Sequence, residues 1–149
     1  MHLTLAHIGG RTPHNDGFAA LIQVYLERCS TFVHCQAETF RSEEAMADWL
    51  ARRPGRTPPI VVLLDSRGRT MTSVDFAAWI GARRDAGAQH IAFAIGPASG
   101  WSDTTRQSAH LLLSLGPMTF AHALARLVMA EQLYRAFTIL SGHPYHGGH

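Results

Sequence analysis

Lysine is missing from this 149-residue chain, and every basic residue in it is arginine. Arginine favours planar, two-pronged contact with carboxylate or phosphate over simple point-charge attraction. Cysteine is nearly missing as well. Cys29 and Cys35 stand outside any C-x-x-C spacing, and two thiols cannot build the disulfide framework of a small secreted domain, so both are expected to be reduced. Long apolar runs are also lacking. The N-terminus opens on Leu3, Leu5 and Ile8 with no basic segment ahead of an apolar stretch, which argues against a signal peptide and a membrane span and points to the cytoplasm. Charged residues make up only 16% of the chain, with a formal net charge of +2. That balance permits RNA binding without demonstrating it, and it tolerates a buried interface between two subunits.

The length suits one domain, residues 1–149, with one core. His2 to Ile8 alternates like a strand and stops at Gly9-Gly10, ahead of the helical spacing of Phe18, Leu21, Ile22, Tyr25 and Leu26. Thr31 to Ala37 suits a second strand and Glu43 to Arg52 a second helix. Proline and glycine then punctuate residues 54–59, before the continuous apolar run Ile60 to Leu64. Such a run, too short for a helix, reads as a strand covered on both faces of a mostly parallel sheet. Ser73 is the expected N-cap of a helix reaching about Asp85, and Ile91 to Ile95 is the fourth strand. Ser102 is expected to cap a helix ending near Leu113, Leu115 to Phe120 follows as a short extended piece, and a last helix fills His122 to Leu140. Strands alternating with helices predict an α/β fold without repeats or linkers.

Ligands of open α/β sheets sit beyond the carboxyl ends of the strands. Asp65 to Arg69, after the third strand, reads either as a polar turn or as a substrate-facing loop. Gly96 to Gly100, after the fourth, reads either as a tight turn or as a close backbone approach to a ligand; it is neither the dinucleotide fingerprint nor a P-loop. Leu115 to Phe120 carries Gly116 and Pro117 where a central strand would lose a ladder bond. An irregular segment whose free amides and carbonyls suit the polar edge of a base such as adenine is the better reading, with a bent edge strand as the alternative.

The last helix carries the remaining chemistry. His122 and Arg126 lie one turn apart at its start, where cations oppose the helix dipole unless an anion lies near. Glu131 and Arg135 form an acid-first pair, while apolar residues spread around most of the helix, which favours a subunit interface. After Gly142 comes His143-Pro144-Tyr145-His146-Gly147-Gly148-His149. Three imidazoles spaced three apart, with no Cys or carboxylate beside them and glycines around them, make a poor metal site, so no metal is expected.

Several of these runs together resemble the RlmH family of large-subunit ribosomal RNA methyltransferases, within the SPOUT superfamily. The carrying residues are Leu64-Asp65 with Gly68, Phe93 to Gly96 with Gly100, Met118-Thr119-Phe120 with His122, Ala125-Arg126, Ala130 to Ala136, and His143-Pro144-Tyr145-His146. The resemblance implies a SPOUT α/β fold, a mostly parallel sheet flanked by helices with a C-terminal deep trefoil knot, and a homodimer. It also implies methyl transfer from S-adenosyl-L-methionine to N3 of pseudouridine 1915 in the 23S rRNA of the ribosome. The cofactor positions carried over are Leu64, Gly96 and Leu115, Gly116, Pro117, Met118, Thr119 and Phe120. The catalytic candidates are His122, Arg135, Tyr145 and His146, and the RNA-binding candidates are Arg126, His143, Tyr145 and His146, with 143–149 as a functional tail. The chain departs from the family pattern at Pro97-Ala98-Ser99, where a second glycine and an acidic residue are usual. It departs again in having only Arg52, Arg53 and Arg56 in place of a lysine-rich segment, and in ending on Gly147-Gly148-His149. Two rivals stay open: a non-catalytic RNA- or ribosome-binding protein of this fold, and an unrelated flavodoxin-like nucleotide binder.

Overall fold

The computed structural model describes residues 1–10 and 16–148; His149, the last of the three tail imidazoles, lies outside them. The elements run β1 (His2–Ile8), α1 (Gly17–Cys29), β2 (His34–Phe40), α2 (Glu43–Ala51), β3 (Ile60–Arg69), α3 (Ser73–Asp85), β4 (His90–Ile95), α4 (Asp103–Ser108), β5 (Leu111–Leu113) and α5 (His122–Ser141), with a 3-10 turn at His146–Gly148. The strands form one parallel sheet in the order β2-β1-β4-β3-β5. Among the described residues no helix is long and apolar enough to cross a membrane.

Both faces of the sheet are covered. On one, Leu3, Leu5, Val62, Ile91 and Phe93 pack with Ile22 and Leu26 of α1, Phe76 and Ile80 of α3, and Met129, Leu133 and Phe137 of α5. On the other, Ala6, Ile8, Leu63, Ala92 and Ala94 meet Met46 and Leu50 of α2 and the indole of Trp101. This explains why β1 is buried from Leu3 to Ile8 despite its alternating sequence. Its polar Thr4 is accommodated because Thr4 Oγ1 lies 2.7 Å from His90 Nε2, so the buried hydroxyl keeps a partner.

Several boundaries differ from those expected from the sequence, among them the ends of β2 at Phe40 and of β3 at Arg69. β2 begins at His34 because the amides of Ser30, Phe32 and Val33 fold back onto Leu26 and Cys29 carbonyls as a helix-ending turn. Thr72, not Ser73, caps α3 by accepting from the Asp75 amide at 3.0 Å, and Ser73 Oγ instead donates to Gln132 Oε1 at 2.7 Å. α4 stops at Ser108, and the apolar triplet expected to end it, Leu111–Leu113, is instead β5, pairing with Val62–Leu64. The fifth strand is therefore not Leu115 to Phe120, which lies outside any strand.

β3 continues past its pairing with β4, and both Leu64 and Arg69 register with Leu113, so residues 65–68 bulge out of the ladder. Gly68 returns the chain against β5. A Cβ there would lie 2.5 Å from the Leu112 carbonyl oxygen and 2.8 Å from the Leu113 nitrogen. Only glycine allows that approach.

Candidate active site

A cleft of about 570 Å3 opens beyond the carboxyl ends of β3 and β4. Its walls are the three segments singled out above: Leu64 to Arg67, Ile95 to Trp101, and the irregular chain before α5. Of the cofactor candidates, Leu64, Gly96, Leu115, Gly116, Met118, Thr119 and Phe120 line it, as does His122, while Pro117 does not.

Trp101, which the sequence reading passed over, sets the shape of this cleft. Its Nε1–H donates to the Leu64 carbonyl at 2.9 Å, and its ring lies so close to Gly96 that a Cβ on Gly96 would sit 2.7 Å from Cε2. The loop between them is a closed turn, with the Gly100 amide donating to the Pro97 carbonyl at 2.9 Å and Gly100 at φ +84°. The Trp101 indole thus packs against the loop in which this chain lacks the family pattern's second glycine.

Asp65 does not face the cleft as a reactive group. It accepts from the Arg67 amide at 2.9 Å and from Arg106 Nε at 2.8 Å, tying the end of β3 to α4. Burial pushes its carboxyl upward, but the Arg67 amide and the Arg106 and Arg67 charges outweigh burial and hold it below the usual carboxylate range. Arg67 remains largely exposed at the rim. On the third wall, Ser114 Oγ accepts from the Gly116 amide at 3.1 Å, and Met118 stands 79% exposed at the mouth.

At the start of α5, where the sequence predicts an anionic partner beside His122 and Arg126, Arg126 is buried and His122 half-buried. Arg126 is only 8% exposed, and Asp16 is the acidic group that acts on it. His122 meets the ring of His7 edge to face at 5.4 Å, with the Gly96 backbone beside it. Its Nε2 is buried without a hydrogen-bond partner. Burial first, then the Arg126 charge, lowers the His122 pKa, so the ring is neutral at neutral pH.

The tail forms a second cluster, folded onto the far end of α5. Glu131 Oε1 accepts from Arg135 Nη2 at 2.6 Å, from Arg135 Nε at 3.0 Å and from the Tyr145 hydroxyl at 3.0 Å. Arg135 Nη1 donates to His146 Nδ1 at 3.0 Å, leaving the proton of a neutral His146 ring on Nε2. Tyr145 lies against Tyr134, ring centroids 4.7 Å apart, and under the Arg135 guanidinium at 4.9 Å. Burial and the Glu131 carboxylate push its phenol up to about 12, so Tyr145 serves as a neutral donor. His143 is exposed, its Nδ1 accepting from the Tyr145 amide at 3.1 Å. Glu131, the hub, was legible in the sequence only as one half of an ion pair. Among the described residues no group of three His, Cys, Asp or Glu is placed to hold a metal.

These two clusters do not meet within one chain. His122 and Arg135 are separated by about 20 Å along α5, at the helical rise of about 1.5 Å per residue.

The family described as "Predicted SPOUT methyltransferase" matches residues 1–146. The chain belongs to the SPOUT methyltransferase family. It is 51% identical over 125 residues to the ribosomal RNA large subunit methyltransferase H of Koribacter versatilis, covering 84% of this chain and 85% of that protein. With the protein of the same name from Novosphingobium aromaticivorans it shares 50% identity over 93 residues, 62% of this chain and 66% of that one. Two solved structures share the fold at low identity. The SpoU methyltransferase AviRb from Streptomyces viridochromogenes matches with a TM-score of 0.52, 17% identity, and coverage of 95% of this chain but 60% of that one. A probable methylase family protein from Haemophilus influenzae matches with a TM-score of 0.53, 12% identity, and coverage of 96% and 68%. This SPOUT methyltransferase thus spans about three fifths to two thirds of those structures.

Proposed function

We propose that this SPOUT methyltransferase transfers the methyl group of S-adenosylmethionine to N3 of a pseudouridine in large-subunit rRNA, as a homodimer. The observation that carries the reading is the convergence of Leu64, Gly96 and residues 115–120 on one cleft with the His122 ring at its wall. The cleft suits the cofactor. Its size fits a nucleoside-sized ligand, its Gly96 wall packs directly on the Trp101 indole with no room for a side chain between them, and the chain before α5 presents backbone outside any ladder for an adenine edge. The relatives named ribosomal RNA large subunit methyltransferase H supply the substrate class.

When bound, S-adenosylmethionine supplies a methyl group activated by its sulfonium. The chain's own part is to hold the base and take its proton. His122 Nε2, buried and unpartnered, accepts the N3 proton. His146 Nε2–H, the Tyr145 ring and the Arg135 charge bind and orient the nucleotide, since Arg135 already occupies His146 Nδ1 and makes that ring a donor. Arg126, so deeply buried, steadies His122 rather than gripping the RNA backbone. Because about 20 Å of α5 lies between His122 and the tail, one site needs His122 from one protomer and the tail of its partner. The reading includes the trefoil knot that the family resemblance implies.

A mixed dimer tests it. His122→Ala and Arg135→Ala homodimers are each expected to lose at least about 100-fold in methyl transfer, the usual effect of a general base or orienting group. Mixing the two should restore a substantial fraction through the one intact composite site; no recovery on mixing contradicts the shared site. The Gly96→Ala chain should bind S-adenosylmethionine at least about tenfold more weakly by calorimetry, about 1.4 kcal/mol, because the new methyl displaces the Trp101 ring. Unchanged affinity would place the cofactor elsewhere. A wild-type chain with no binding at millimolar ligand would favour a non-catalytic RNA-binding protein.

A further inference from the structure

A polar side chain inside a sheet covered on both faces costs free energy unless it has work to do. His7 closes β1 at 4% exposure, in a run otherwise filled by Leu5, Ala6 and Ile8. Its Nε2 makes one long contact, 3.4 Å to the Gly10 carbonyl, and its ring packs edge to face on His122. An apolar residue would suit the core better, so the His7–His122 contact is what singles the residue out.

Among the described residues the groups around this pair are few. Arg126 of α5 faces both rings, Asp16 before α1 faces Arg126, and the Gly96 backbone lies beside His122. Burial first, then Arg126, holds His7 down to about 4, with Gly10 opposing. The two neighbouring imidazoles are therefore both neutral at neutral pH, and His7 brings no charge that would compete with proton uptake next door. Its ring covers one side of His122 that would otherwise be open to water.

We propose that His7 is a positioning residue for methyl transfer: its ring walls His122 off from water and holds it as the Nδ1–H tautomer, keeping Nε2 the proton acceptor. The inference rests on the reading of His122 given above. The proton leaves N3 for His122 Nε2, the N3 electron pair forms the new N–CH3 bond, and the C–S bond breaks with its pair returning to sulfur. His122 then releases the proton to solvent, so charge and atoms balance.

Long-range 1H–15N imidazole spectra test this in parallel with methyl transfer to ribosomes, both followed from about pH 5 to 9 around the ordinary imidazole value. Wild type, His7→Ala and His7→Phe are compared. Wild-type His122 should appear neutral, protonated on Nδ1, and should titrate below the ordinary range. In H7A, water reaches the ring. Its titration should move up toward about 6.5, the Nδ1–H form should lose its dominance, and the acid limb of kcat should move up with it, while KM for the cofactor stays within about twofold. H7F refills the space and should restore both signals. If H7A does not fold, His7→Gln, which keeps a polar head at Gly10 but not the ring, carries the same expectation. An unchanged His122 titration and tautomer in H7A, or in H7Q, would overturn the proposal, as would an H7F chain that behaves like H7A. If wild type transfers no methyl, the proposed function fails, yet the spectra still decide whether His7 governs His122.

Discussion

Removal of residues 143–149 is expected to lower methyl transfer to ribosomes by roughly 10²- to 10³-fold, the range for loss of positioned polar catalytic groups, with cofactor affinity nearly unchanged. The cofactor cleft and the tail lie at opposite ends of α5, so the deletion leaves the walls at Gly96 and residues 115–120 untouched. It takes one bond from the helix end, that of the His143 amide to the Thr138 carbonyl at 2.9 Å. Gly142 sits at φ 75° in the left-handed cap, its amide still bonded to the Ile139 and Thr138 carbonyls. Also lost are the Tyr145 hydroxyl on Glu131 and the His146 ring on Arg135. Each of these three hydrogen bonds is worth about 1 kcal/mol, so at about 2–4 °C per kcal/mol the melting temperature should fall by about 6–12 °C. Calorimetry with S-adenosylmethionine beside a single-turnover assay separates the effects. Full turnover by the truncated chain would remove the tail from the reaction, and loss of cofactor binding would show that the two clusters communicate.

Gly68→Ala is expected to produce the largest loss of stability among single methyl additions. The added carbon would lie 2.5 Å from the Leu112 carbonyl oxygen and 2.6 Å from its carbon, and these are backbone atoms held by the β3–β5 ladder. No flexible side chain can swing aside. Overpacking of this kind costs about 1–3 kcal/mol and sometimes more, and for a chain of this size each kcal/mol is worth about 2–4 °C in Tm. A contrasting variant is Gly81→Ala in α3, where the neighbour is the Leu140 Cδ2 at 2.9 Å, the end of a side chain that can rotate. G68A should melt well below G81A. Equal melting temperatures would mean that the chain crossing at Gly68 can relax.

Much of this was legible in the sequence, for a reason that also explains the gaps. β3 and β4 are runs of apolar residues too short for helices, and a sheet covered on both faces requires that pattern. Leu111–Leu113 has the same character but only three residues, so it reads equally well as the end of a helix, and only its pairing with Val62–Leu64 makes it a strand. Proline and glycine excluded residues 115–120 from the sheet, and that segment became a wall of the cleft. Trp101, His7 and Glu131 carry no local signal. A tryptophan after a glycine turn, a histidine in a strand and an i, i+4 ion pair all have bland local explanations, and their roles depend on Leu64, His122 and Tyr145, each distant in sequence. Arg126 shows the converse. Its place in the first turns of α5 suggested a phosphate contact, but packing against the sheet buries it beside His122.

The most direct test of the central claim uses ribosomes lacking the modification, incubated with the full-length protein and S-adenosylmethionine labelled in its methyl group. The rRNA is then digested, and the labelled nucleoside is identified and located by mass spectrometry. The account predicts label on N3 of a single pseudouridine in the large-subunit rRNA, dependent on His122 and on the tail. Label on any other nucleoside, on the small subunit alone, or only on small metabolites would contradict it.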